Sequence, residues 1–305
     1  MPYLRSLLFA TTKSFIAFFE RTVRSRWPRP YRTASLFYGF FISAMLFALV
    51  EPTAESVGIE PRPRAQIAVE AAVERHAPEV RFHPQERYFP SSVEWFLDKT
   101  AVDEPPGPAS SPDDRLVVSP EADAEKVRAG NLKGARAYVH TKSAPGGERA
   151  VDIQYWFFYP YSGPVMDGPA GGAHEGDWEH VTVRTDESRR RIRRVYFAAH
   201  DSEGRWVEPP GLRMSHDGHP IVYSARYGHA SYPRPGLQSR GMLPGDRTAD
   251  GGARWETWRS LAVVAEDGRP TPEHRWLEFP GSWGRTGSLF AAPQSPLHQD
   301  YWEGS

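Results

Sequence analysis

The segment Asp177-Trp178-Glu179-His180-Val181-Thr182-Val183 holds the side chains whose types and spacing best suit chemistry. Read as a strand, it alternates, so Asp177, Glu179, Val181 and Val183 share one face while Trp178, His180 and Thr182 share the other. The valines belong to a core. Two carboxylates therefore enter on the core side, where a charge is costly unless a cation compensates it. His174 stands three residues ahead of Asp177, just after Gly171-Gly172, and can fold back over the strand end. A His/Asp/Glu cluster at a strand mouth suits a divalent metal ion or a carboxylate pair in acid–base work. Oxygen-dominated ligands favour calcium, magnesium or manganese, and a second histidine moves the preference toward manganese or zinc. The competing assignment pairs both acids with internal arginines such as Arg226.

His229, in Tyr223-Ser224-Ala225-Arg226-Tyr227-Gly228-His229-Ala230, sits on a strand-to-loop passage, where a lone histidine is usually structural. The aromatic run Tyr155–Tyr161 (YWFFYPY) reads as a buried strand, with a sugar- or lipid-binding face as the alternative. Arg189-Arg190-Arg191 with Arg193-Arg194 reads as a solvated hairpin tip. No Gly-rich phosphate loop, GxSxG elbow or HExxH helix occurs. Without cysteine, thiolate metal sites, disulfides and cysteine nucleophiles are excluded.

The elements that must position these residues are mostly strands. Scattered between short apolar runs, 29 Pro and 26 Gly suit many short strands joined by turns. The strongest are Val151–Tyr159, Trp178–Arg184, Ile192–His200, Ile221–Ala225 and Ser260–Val264, with the longest loop over 163–173. Ahead of them, Arg64–His76 (RAQIAVEAAVERH) predicts an amphipathic helix, with Ile67, Ala68, Ala71, Ala72 and Arg75 at helical spacing and Pro78 as its stop. Val80–Phe82 predicts a short strand, and Ser91–Leu97 a helical turn opened by a capping box. Ser119-Pro120-Glu121 predicts a helix start, running to Arg128 ahead of Gly130. No internal repeat or second linker interrupts 64–305, so one domain is predicted there.

Charge is placed unevenly. Residues 1–32 carry seven Lys/Arg against the single acid Glu20, which leaves 30 basic and 37 acidic residues beyond them. A domain with that balance is a poor nucleic-acid binder. Thr33–Val50 is 18 residues without a charge. At helical rise it spans roughly 27 Å, close to a hydrocarbon core. The basic excess on its N-terminal side predicts a membrane anchor with the N-terminus inside and the remainder outside. A cleaved signal peptide and an organelle transit peptide are the alternatives.

Several segments, in order, resemble the vacuolar protein sorting-associated protein 62 family. They are Arg81-Phe82-His83-Pro84, Glu86-Arg87-Tyr88, Phe89-Pro90-Ser91-Ser92-Val93-Glu94-Trp95, Gln154–Tyr161, His174–His180, His219-Pro220 through Tyr223-Ser224-Ala225, His229–Pro233 and Gly281-Ser282-Trp283-Gly284. The match covers about residues 78–302. The family name refers to vacuolar sorting and carries no general biochemical activity. The His-x-x-Asp-Trp-Glu core is also similar to the heptapeptide of the necrosis-inducing cytolysin family. That resemblance implies a β-sandwich with a divalent cation at one end, helping to bind sphingolipid headgroups. His174, Asp177 and Glu179 match the cation ligands of those toxins, and His229 matches their later histidine. Gly176 stands where the toxins carry a second histidine. Their upstream ligand aspartate has no aligned counterpart, with Asp167 as a substitute, and their usual disulfides are missing.

The expectation is a mainly β protein: a β-sandwich with a few short peripheral helices, preceded by one N-terminal transmembrane helix. Its parts are a basic segment (1–32), a transmembrane or signal-anchor helix (33–50), a linker (51–63) and the β-sandwich domain (64–305). The expected function is a non-catalytic binding domain held at the cell membrane by a single pass, with its C-terminal domain outside the cytoplasm. His174, Asp177, Glu179 and His229 would hold a calcium, magnesium or manganese ion that bridges to a glycan or lipid headgroup, in a role linked to protein sorting or membrane interaction. The alternative is a metal-dependent hydrolase at the same site, with Glu175 or His180 as base. A third is a structural module whose acids are arginine-paired.

Overall fold

The computed structural model describes residues 64–103, 111–147, 149–164, 171–200, 203–240, 243–285 and 291–304. The expected anchor Thr33–Val50, the linker 51–63 and Asp167 lie outside them. Among the described residues no helix is long and apolar enough to cross a membrane. Residues 63–305 form one compact unit.

In chain order the main elements are helix α1 (Arg64–His76), β1 (Glu79–Arg81), α2 (Val93–Leu97), β2 (Thr100–Asp103), β3 (Arg115–Val118), α3 (Ala124–Ala129), β4 (Ala137–Ser143), β5 (Val151–Ser162), β6 (His174–Thr185), β7 (Ile192–Phe197), β8 (Arg205–Val207), β9 (Ile221–Ser224), β10 (Ser231–Tyr232), β11 (Gly236–Arg240), β12 (Leu243–Thr248), β13 (Arg254–Glu256), β14 (Leu261–Glu266) and β15 (Arg269–Pro270). A seven-stranded sheet runs β15-β14-β4-β5-β6-β7-β8, and a four-stranded sheet runs β10-β9-β1-β13. Between them lies the main core. Val80, Val222 and Trp255 come from the smaller sheet; Val139, Tyr155, Phe157, Val181 and Val183 come from the larger. This is the expected sandwich.

The opposite face of the large sheet is buried too. Tyr138, Trp156, Phe158 and Trp178 pack there against α2, Leu277, Trp283 and Trp302. A strand covered on both faces reads as a continuous apolar run, which accounts for Tyr155–Tyr161. Three local expectations are corrected. The buried stripe of α1 is Ala72, Val73 and His76, while Ala71 is exposed. The cap of α2 is Ser92, accepting from Trp95 N, so Glu94 falls one position short of a capping box and accepts instead from the Tyr138 hydroxyl at 3.2 Å. Helix α3 starts later than predicted because Asp123 caps it, accepting from Lys126 N at 3.2 Å.

Candidate functional site

Strand β6 delivers its acids as alternation requires. Asp177 lies opposite Tyr159 and Glu179 opposite Phe157 in the antiparallel pairing with β5, on the face that carries Val181 and Val183 into the core. Just before them the strand bends at Gly176, whose φ is +65°, and a Cβ there would meet the Trp283 carbonyl oxygen at 2.0 Å. No L side chain fits that close approach without moving backbone. A histidine, like any other L side chain, is therefore sterically barred at this position. The late Gly281-Ser282-Trp283-Gly284 motif is the other half of the same crossing, since a Cβ on Gly284 would meet the Glu175 backbone at 2.5 Å.

Asp177 is paired, but with a histidine rather than with Arg226. His229, wholly buried, donates from Nδ1 to Asp177 Oδ2 at 2.8 Å and from Nε2 to the Tyr88 carbonyl at 3.0 Å. Both partners only accept, so both ring nitrogens carry protons. Its ring stacks on Tyr159 with centroids 3.8 Å apart, and Glu86 Oε1 lies 3.9 Å from Nε2. Burial alone would lower the imidazole's pKa. The hydrogen bonds and charges of Asp177 and Glu86 more than reverse this and raise it to about 9. Glu86 is fixed in turn by backbone N–H groups of Arg87, Tyr88 and Tyr227 at 2.8–2.9 Å. Burial pushes its carboxyl up, but His229 and these donors hold it below the usual range. Arg226 is engaged elsewhere, donating to Gln85 Oε1 at 2.8 Å and lying over the Tyr227 ring.

Glu179 has a different environment. Its side chain keeps partial solvent contact, while the protein around it desolvates the carboxyl. No described group donates a hydrogen bond or ion pair to it. Burial first, then the charges of Asp177 and Asp246, push its pKa well above the ordinary value. Asp246 accepts from His200 Nε2 at 2.7 Å and the Tyr232 hydroxyl at 2.6 Å. Burial raises Asp246, and these two hydrogen bonds outweigh it and hold the carboxyl low. By contrast, the buried Asp152 is answered in full by Arg184, through a bidentate pair at 2.6–2.7 Å.

The four expected ligands are thus brought to one end of the sandwich with unequal roles. Asp177 and Glu179 are neighbours, His229 spends both nitrogens on hydrogen bonds, and His174 is half-buried at the start of β6 with Nδ1 3.4 Å from the Glu175 carbonyl. Among the described residues no three His, Asp or Glu side chains gather as a metal-binding group. Asp177 and Glu179 offer only oxygen donors, and His229 as placed has no ring nitrogen free for a cation. Neither expected base reaches this centre. Glu175 accepts from Arg128 Nη2 at 3.3 Å and Arg285 N at 3.2 Å. His180 is buried on the opposite face against Trp156, and burial lowers its pKa to about 3. Sequence reasoning missed Glu86 and Asp246. Glu86 lay inside a segment already singled out; Asp246 gave no signal.

The family model described as vacuolar protein sorting-associated protein 62 matches residues 55–111 and 113–286. Among curated proteins, TDA6 of Saccharomyces cerevisiae, named for vacuolar protein sorting, is 28% identical over 169 residues, covering 45% of this chain and 36% of its own length. Vacuolar protein sorting-associated protein 62 of the same yeast is 27% identical over 180 residues, covering 48% and 38%. The chain therefore spans little more than a third of these relatives. Among solved structures, "Toxin fold for microbial attack and plant defense" has a TM-score of 0.38, and "NLPPya in complex with glucosamine" one of 0.37. Both are 16% identical and cover 70% of this chain and 80% of the other.

Proposed function

The chain belongs to the vacuolar protein sorting-associated protein 62 family, and from that premise we propose that its β-sandwich is a non-catalytic binding domain whose Asp177–Glu179 pair takes up a divalent cation that bridges to a glycan or lipid headgroup. The observation that carries this reading is Glu179, an enclosed carboxylate with no donor that faces two further carboxylates. Ordinary buried acids are answered by a cation, as Asp152 is by Arg184. Calcium and magnesium take oxygen donors, and magnesium is commonly held by one or two carboxylates with water completing its shell. His174 stands at the mouth as a further donor, and His229 acts as a positioning residue that orients Asp177. The charge asymmetry around residues 33–50 supports a domain held outside the membrane, in a role tied to sorting or membrane interaction.

The test is thermal melting of the purified full-length chain, stripped with EDTA and then titrated with Ca²⁺, Mg²⁺ or Mn²⁺. A bound ion at a hundredfold its dissociation constant stabilises the fold by about 2.7 kcal/mol. Glu179→Gln removes the repulsion with Asp177 and Asp246, so the stripped variant melts higher than stripped wild type at pH 8, yet gains nothing from metal. A wild type that no ion stabilises, or a variant that responds equally, refutes the reading.

A further inference from the structure

A cavity of about 530 Å³ opens beside β10 and β11 and is lined in part by Glu203, Arg205, Ser231, Tyr232, Gln238 and Arg240. Its volume falls in the usual small-ligand range of roughly 300–1,000 Å³. Four features of its wall are unspent. Ser231 is 2% exposed, and its hydroxyl has no hydrogen-bond partner among the described residues. Gln238 commits Nε2 to the Arg234 carbonyl at 3.0 Å and Thr248 Oγ1 at 3.1 Å, which leaves its amide oxygen to accept. Arg205 has no described anionic partner. Arg240 uses Nε and Nη2 on Glu203 at 2.8 and 3.1 Å, so Nη1 is left to donate. Two guanidinium groups, Arg205 and Arg240, line it against one carboxylate, Glu203, with Asp246 close enough to act on Arg240 as well. Tyr232, whose hydroxyl is taken by Asp246, offers the cavity its ring.

We propose that this cavity binds a small acidic sugar, its anionic group on Arg205 and Arg240 and its hydroxyls on Ser231 and Gln238. Guanidinium groups favour carboxylate and phosphate, while a serine hydroxyl with an amide oxygen suits vicinal alcohols. The aromatic ring covers an apolar sugar face. The site needs no metal, and neither Asp177 nor Glu179 lines it.

Isothermal titration of the full-length chain with glucuronate, glucose 6-phosphate and glucose tests this. Glucuronate or glucose 6-phosphate should bind at least tenfold tighter than glucose, and which acid wins identifies the anionic group. Arg205→Ala, at an exposed strand position, should weaken the better acid at least tenfold while leaving the melting temperature unchanged. EDTA and Asp177→Asn should leave the affinity within twofold, so failure of the cation centre and failure of this site are told apart. Equal binding of glucose, no binding of either acid at millimolar concentration, or an Arg205→Ala variant that binds like wild type would overturn the proposal.

Discussion

His229 makes the stability of this domain depend on pH in a defined direction. Its imidazole is raised from 6.5 to about 9 in the folded chain, against the drag of complete burial, by Asp177 and Glu86. A group with a raised folded pKa binds its proton more tightly when folded, so its contribution is full below pH 6.5 and disappears as pH rises through 9. The difference corresponds to about 3 kcal/mol. For a domain of this size that is roughly 6–12 °C in melting temperature. Glu179 tilts stability the same way, since its raised pKa makes ionisation unfavourable in the folded state as pH climbs from about 4.5. Comparison with His229→Gln isolates the histidine. Urea denaturation in EDTA between about pH 6 and pH 9.5 should show wild type losing about 3 kcal/mol more than the variant across that window. The variant should also start lower, because it leaves Asp177 and Glu86 buried without their cation. Parallel pH slopes in the two proteins, or an NMR titration of the His229 ring centred near or below 6.5, would refute the reasoning.

Gly176→Ala should destabilise by about 3 kcal/mol in denaturant titrations, because the methyl group meets the Trp283 carbonyl in a backbone conformation that L residues avoid. Arg184→Met should cost about 3–5 kcal/mol by stranding Asp152, and the double variant Asp152→Leu/Arg184→Met should recover most of it by the same measurement. The proposed anchor predicts that alkaline carbonate leaves the full-length chain in the membrane pellet, and release into the supernatant would exclude a spanning helix.

What the sequence made legible was the demand, not the answer. Strict alternation in β6 was enough to place Asp177 and Glu179 on the core side, because a two-residue period is fixed by the backbone itself. That each acid needed a partner followed from the cost of burial. Which partner each obtained is a long-range matter. Asp177 is met by a histidine 52 residues away, held by a left-handed backbone at φ +58° that no spacing rule announces. Glu179 instead feels the charge of Asp246, a like charge that no pairing argument would place there. Local competition blurred the helices in the same way: Asp123 outcompeted Ser119 as a cap, and Ser92 outcompeted Ser91. Gly176 shows the reverse case. Its departure from the toxin heptapeptide looked like a lost ligand, whereas the Trp283 carbonyl 2.0 Å from its missing Cβ makes glycine a condition of the fold. The cation proposed for this end of the sandwich would therefore rely on the carboxylates that the crossing of Gly176 and Gly284 leaves in place. Glu179, the one without a donor, is the residue on which that chemistry turns.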